Sequence, residues 1–172
     1  MNAILGQFVL SGHVLLWAGF LLLSQASCDT MAPQGSPTPS GSELATLILQ
    51  TDPFDQWGQF PDASGTIQSN PPHGPMSRVF INDTLAKALN NFTGRLPAGS
   101  IIVKENMGTS TLVTEAKLTV MWKVAGFDTA NNDWFWANLT PEGDVVVEGK
   151  VSSCTACHGG ARANDFVFVQ KL

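Results

Sequence analysis

The 172-residue sequence lacks tyrosine and carries little charge, and these shortages exclude some classes of protein. Charged residues make up 13% of the chain, and a net charge of −5 argues against nucleic acid as a partner. No block of like charges occurs, so no charged interaction tail is predicted. What the chain has instead is 44% hydrophobic residues, with five Trp and ten Phe. This composition predicts a globular domain with a strongly aromatic core.

The N-terminal region has no Lys or Arg, although its apolar run has the length of a signal-peptide core. Residues 14–23 form that run, which is too short to predict a membrane-spanning helix. We predict a signal peptide over residues 1–28 and therefore a periplasmic protein. Residues 25–28 resemble a lipoprotein box, which would make Cys28 a lipid-bearing membrane tether. The alternative is ordinary cleavage near Ala26 or Cys28.

The segment after the signal peptide is too polar to form a core. Residues 29–42 are rich in Pro, Ser, Thr and Gly, which predicts a flexible linker. Residues 43–172 remain as one folded domain, and about 130 residues are enough for a hydrophobic core.

Cysteine is scarce, and two of the three cysteines lie in one motif. Cys154, Cys157 and His158 form a CxxCH sequence, the signature of covalent c-type haem attachment. In a helix the two thiols share one side, and the adjacent imidazole is placed to bind the iron. We therefore predict one covalently attached haem c, with His158 as the proximal iron ligand.

Three other interpretations of the CxxC pair stay open. A structural zinc site needs four ligands, and the other cysteine and histidine candidates are Cys28, His13 and His73. A redox dithiol is expected beside a βαβ pattern, which is absent here. The third alternative is a plain disulfide.

The spacing of apolar residues predicts helices first and strands later. Helices are expected at residues 43–50 and 52–61, and after a cap at Asn82 or Asp83. Strands are predicted at residues 78–82, 100–107, 116–124, 133–139, 145–147 and 166–169. This order predicts an α+β fold, an antiparallel β-sheet with a few short helices.

Several of these segments, in this order, resemble the cytochrome P460 and cytochrome c′-beta family over about residues 57–168. The segments are residues 78–82, 97–105, 121–123, 133–136, the CxxCH motif and residues 165–168. The resemblance implies an antiparallel sheet domain, often a homodimer, with haem at its side and an open distal iron site. The implied partners are a small nitrogenous ligand or substrate and a redox partner cytochrome.

Family members differ in whether a lysine is bonded to the haem ring. The resemblance matches that position to Lys104, a candidate catalytic and cofactor-binding residue. Strand alternation places Lys104 on one face with Ile102 and Asn106. The alternative is an ordinary exposed strand lysine or a salt-bridge partner. The family's distal arginine falls near Arg78, which we include as a candidate, although it is displaced by one position and would face the opposite way.

The carboxylate that hydroxylamine-oxidising members place over the iron has no counterpart in residues 118–121. Glu105 and Glu115 are candidate substitutes for a base, but both are expected on the surface. His73 lies in a proline-rich loop and is a second iron ligand, a distal proton donor, or a surface or structural histidine. Other candidates for the sixth iron ligand are Met76, Met107 and Met121.

The sequence alone leaves three candidate functions. The first is a hydroxylamine or nitric oxide oxidoreductase, motivated by Lys104. The second is a non-enzymatic binder of nitric oxide or carbon monoxide, motivated by the missing carboxylate. The third is a low-spin electron-transfer cytochrome in which His73 or a methionine completes the iron coordination.

Overall fold

The computed structural model describes residues 38–108 and 117–169. The predicted signal peptide with Cys28, most of the predicted linker and Glu115 lie outside these described residues. Within them, no helix has both the length and the apolar character needed to cross a membrane.

A seven-stranded antiparallel sheet forms the centre of the domain, and three short helices pack around it. The strands are β1 (Gly58–Gln59), β2 (Ile67–Gln68), β3 (Met76–Ile81), β4 (Ile101–Met107), β5 (Leu118–Lys123), β6 (Trp134–Leu139) and β7 (Val145–Gly149). They are ordered β1-β3-β4-β5-β6-β7, and β2 also pairs with β3. The helices are α1 (Gly41–Thr46), α2 (Asp83–Ala88) and α3 (Ser152–His158). The predicted α+β fold is confirmed.

One face of the sheet is covered by the first helix. Phe80, Val103, Val120 and Ala137 stand opposite one another across β3 to β6, and all four are buried. Leu44, together with other apolar residues of α1 and the π-helical turn at Leu47–Thr51, packs against this row. Each Å² of apolar surface that is buried stabilises the fold by about 25 cal/mol, so this layer is a main source of stability.

The opposite face of the sheet carries a cavity. Ile81, Ile102, Met121 and Trp136 form the matching row on this side, and each is almost fully buried. Because strand side chains alternate between faces, the residue two positions along from each also belongs to this face. The cavity described below lies over these positions.

Helix α2 begins at the predicted cap. The side chain of Asn82 accepts hydrogen bonds from the amides of Leu85 (3.2 Å) and Ile101 (3.0 Å), and it donates to the carbonyl of Gly99 (2.8 Å). One residue therefore starts the helix and ties it to β4.

Two predicted elements are wrong. Residues 52–61 contain a short 3₁₀ turn (Phe54–Gln56) and β1 instead of a helix. Residues 166–169 form no strand, because Phe166 has a φ of +68° and follows Asp165 at +52°. Two consecutive left-handed residues turn the chain away from an extended path.

Candidate functional site

The CxxCH motif lies on α3, at the mouth of a cavity over the second face of the sheet. Cys154 and Cys157 are both free thiols, and their three-residue spacing places them on one side of the helix. Thr155 closes the first turn, since its amide (3.1 Å) and hydroxyl (3.2 Å) both donate to the carbonyl of Val151. Burial raises the pKa of the Cys154 thiol.

The cavity has a volume of about 550 Å³ and mainly apolar walls. The sheet provides its floor, α3 and the C-terminal segment form one wall, and the loop before β3 forms another. Its apolar lining includes Phe60, Ile67, Val79, Ile102, Met121, Trp136, Val146, Val167 and Phe168. Phe168 is 60% exposed although it lines the cavity, so a bound apolar group would cover it.

A hydrogen bond from its ring to the backbone holds His158 at the cavity. Its Nδ1 donates to the carbonyl oxygen of Phe166 at 2.7 Å, and its ring packs against Trp136 with centroids 4.8 Å apart. Burial is the main cause that lowers the pKa of His158, so the imidazole is neutral at pH 7. Neutral imidazole is the form that binds metals, and Nε2 is the nitrogen left for a ligand.

A buried polar network fixes the turn that positions His158. The Asp165 side chain is fully buried and accepts hydrogen bonds from Lys123, from the amide of Leu96 (2.7 Å) and from Asn132 (2.8 Å). The backbone carbonyl of Asp165 accepts from the indole of Trp134 (2.8 Å). Sequence reasoning missed this network, because its members are scattered over about 70 residues and only the topology brings them together.

Lys104 lies in the cavity wall, on the face that strand alternation predicted. Its register partners are Val79 and Thr119, which also line the cavity. Burial lowers the pKa of Lys104 to about 8, so a measurable fraction of its amine is neutral near pH 7. A neutral amine is a nucleophile and a metal ligand, whereas an ammonium is neither.

His73 lies in the same cavity, which brings two of the three histidines of the chain together. Its ring centroid is 6.4 Å from that of His158, with an angle of 88° between the ring planes. Its Nδ1 is 3.4 Å from the hydroxyl of Thr119. Burial, followed by the charges of Lys104 and His158, lowers the pKa of His73 to about 4. His73 is therefore a neutral imidazole facing the cavity.

Arg78 requires a correction, because the structure places it away from the cavity. It lies on the opposite face of the sheet and pairs with Glu105 at 2.7 Å, and neither residue lines the cavity. The one-residue displacement seen in the sequence has the physical result expected of a strand without a bulge. Of the three methionine candidates, Met121 lines the cavity and Met76 and Met107 do not.

These residues fit a covalently attached haem. Cys154 and Cys157 would hold its vinyl side chains and His158 its iron, while the apolar cavity would take the ring. The group would supply a redox-active iron that binds small ligands. Among residues 38–108 and 117–169, no cluster of three or more His, Cys, Asp or Glu offers a competing metal site.

Comparison with known families agrees with this geometry. The family model described as cytochrome P460 matches residues 52–169, which is most of the chain and includes the whole cavity lining. A search of curated proteins finds no match.

Proposed function

Since this chain belongs to the cytochrome P460 family and is a c-type haem protein, we propose that it binds or oxidises small nitrogen species at the iron, on the side opposite His158. Hydroxylamine and nitric oxide are the species we expect. The observation that carries the proposal is the placement of Lys104 in one cavity with the CxxCH residues. A single CxxCH motif corresponds to one haem for each chain.

Lys104 also separates the two branches of the proposal. The resemblance implies that a bond between a lysine and the haem ring accompanies hydroxylamine oxidation. The half-buried position of Lys104 and its lowered pKa support a reactive amine at this place. A free Lys104 would instead support a gas-binding protein.

A specific observation favours the gas-binding alternative. None of the described residues that line the cavity is Asp or Glu. The resemblance implies a carboxylate over the iron in the hydroxylamine-oxidising members, and here proton removal from hydroxylamine would fall to His73 or Lys104 instead. Binding of nitric oxide requires no proton transfer, so the existing lining is sufficient for it.

The test uses haem-loaded protein purified without its leader. Intact mass and the mass of haem-bearing peptides would show whether Lys104 is bonded to the ring, with Lys104→Arg as the matched control. Reduced protein is then titrated with nitric oxide, and oxidised protein is mixed with hydroxylamine and an electron acceptor. A protein that neither binds nitric oxide nor consumes hydroxylamine contradicts the proposal.

Export and assembly are proposals that rest on the sequence. We propose a periplasmic protein tethered to the membrane through Cys28, with a cytochrome as redox partner and a homodimer as the assembled form. The apolar run at residues 14–23 and the cysteine after it support the first part. The mass of the mature N-terminus and the solution molecular weight would test these points.

A further inference from the structure

We propose that His73 coordinates the haem iron opposite His158 in the resting protein, so that an external ligand must displace it. This inference rests on the proposed function, because it requires haem attached at the CxxCH motif. In this arrangement a residue of the chain itself occupies the distal position, which the family resemblance implies is open.

The distance between the two rings is the first argument. Two imidazoles that bind one metal ion from opposite sides, each through a bond of about 2 Å, have ring centroids about 6 Å apart. The observed distance is 6.4 Å. A histidine that only donated a hydrogen bond to an iron-bound ligand would lie about 2 Å further away. The 88° angle between the planes agrees with coordination, because each ring can rotate about its own bond to the metal.

The free nitrogens are the second argument. In each ring Nδ1 is next to a protein oxygen, that of Phe166 for His158 and that of Thr119 for His73. With Nδ1 engaged in this way, Nε2 is the nitrogen of each ring that is left to bind a metal. Histidines that bind metals commonly donate their other N–H to the protein in this way.

His73 also sits in a loop whose position against the sheet is fixed. The amide of Ser69 donates to the carbonyl of Pro75 at 2.9 Å, which closes the loop. Gly74 is buried, and a Cβ atom there would lie 2.4 Å from the carbonyl oxygen of Met107 in β4. The backbone next to His73 therefore touches the sheet directly and holds the imidazole over the cavity.

Two other side chains in the cavity could compete for the iron. Met121 is almost fully buried among the apolar residues of the sheet, and Lys104 has a partly neutral amine. Their thioether and amine groups have no second nitrogen that a neighbouring residue could orient, as Thr119 is placed to do for His73. Both remain outcomes that the experiment separates.

The test is spectroscopic and uses the haem-loaded protein. We expect ferric wild type to give a low-spin electron paramagnetic resonance signal and near-infrared magnetic circular dichroism typical of two histidines. His73→Ala should become high-spin, and added imidazole should restore the low-spin signal. Asn138→Ala, which changes another polar residue of the cavity wall, is the matched control and should remain low-spin. The association rate of nitric oxide should rise at least tenfold in His73→Ala.

The outcomes distinguish this inference from the proposed function. A high-spin wild type that binds nitric oxide would overturn only the role of His73. A low-spin signal that persists in His73→Ala would also overturn it and would assign the ligand to Lys104 or Met121. A low-spin signal that depends on His73, in a protein without nitric oxide or hydroxylamine reactivity, would support His73 and overturn the proposed function in favour of electron transfer. If His73→Ala does not retain haem, the wild-type dichroism alone decides.

Discussion

The Nδ1 atom of His158 lies 2.7 Å from the carbonyl oxygen of Phe166, eight residues further along the chain. That carbonyl points at the ring because Asp165 and Phe166 both adopt left-handed backbone conformations. Non-glycine residues in this region cost about 1–3 kcal/mol each and persist where the surroundings over-determine them. Here the buried hydrogen bonds of Asp165 do so, and a polar network thus orients the candidate iron ligand.

Replacement of Asp165 should therefore destabilise the domain and disturb the haem. Asp165→Asn leaves Lys123 buried without a carboxylate, and the loss of one partner of a buried pair costs about 3–5 kcal/mol. The free energy of unfolding in urea measures this loss. The reduction potential should shift as well, because the Nδ1 hydrogen bond of an iron-bound histidine tunes the metal.

The double variant Lys123→Met/Asp165→Asn is the control. It removes the uncompensated charge, so it should recover part of the stability that the single variant loses. Exposed ion pairs contribute up to about 1 kcal/mol. If the free energy of unfolding of Asp165→Asn differs from that of wild type by less than about this amount, the buried network does not fix this turn.

The strands could be predicted from sequence because apolar side chains recur along them with a period of two. Alternation in β5 placed Leu118, Val120 and Trp122 on one face, and these residues do pack on the α1 side. The strand pattern also placed Lys104 with Ile102, on the cavity side. Local periodicity is sufficient wherever one face of a strand meets a core.

The remaining features depend on contacts between distant segments. The apolar residues 166–169 read as a strand, but Phe166 and Val167 are buried by a turn that Asp165 holds through partners elsewhere in the chain. His73 and His158 are 85 residues apart, and no sequence pattern relates them. Only the return of the chain across the sheet brings their rings together.

Gly74→Ala tests whether the loop contact places His73. An added Cβ would collide with the backbone carbonyl of Met107, which cannot move as a flexible side chain would. We expect a loss of about 1–3 kcal/mol in unfolding free energy and an increased high-spin fraction in the ferric spectrum. Gly58→Ala is the control, because nothing lies within 4 Å of a Cβ there. An unchanged spectrum in folded Gly74→Ala would show that the loop contact does not hold the imidazole.

Arg78→Ala should leave the haem site unaffected. The Arg78–Glu105 pair lies on the far face of the sheet and is partly exposed, so its loss should cost under about 1 kcal/mol. The optical spectrum and the affinity for nitric oxide should match those of wild type. A tenfold change in that affinity would contradict the placement of Arg78 and return it to the list of distal candidates.

Leu44→Ala should destabilise the protein without changing its iron chemistry. Leu44 is 0% exposed in the layer between α1 and the sheet, on the side away from the cavity. Truncation of a buried leucine costs about 2–5 kcal/mol, which thermal or urea unfolding will detect. The ferric spectrum of the folded fraction should be that of wild type. A spectral change would indicate that the two faces of the sheet are coupled.

The stability of the protein should depend on pH through Lys104. Its pKa is about 8 in the folded protein and 10.5 as the ordinary value, with burial as the cause. Between these pH values the unfolded chain binds more protons than the folded one, so the free energy of unfolding should rise with pH. The rise is at most about 3 kcal/mol. Lys104→Met should lack it, so the stability difference between wild type and variant, measured in urea, should shift in favour of wild type from pH 8 to pH 10. The comparison requires protein whose mass shows a free Lys104, since a lysine bonded to the haem ring would not titrate. A difference that stays constant over this range would show that the Lys104 amine is as well solvated in the folded protein as in the unfolded chain.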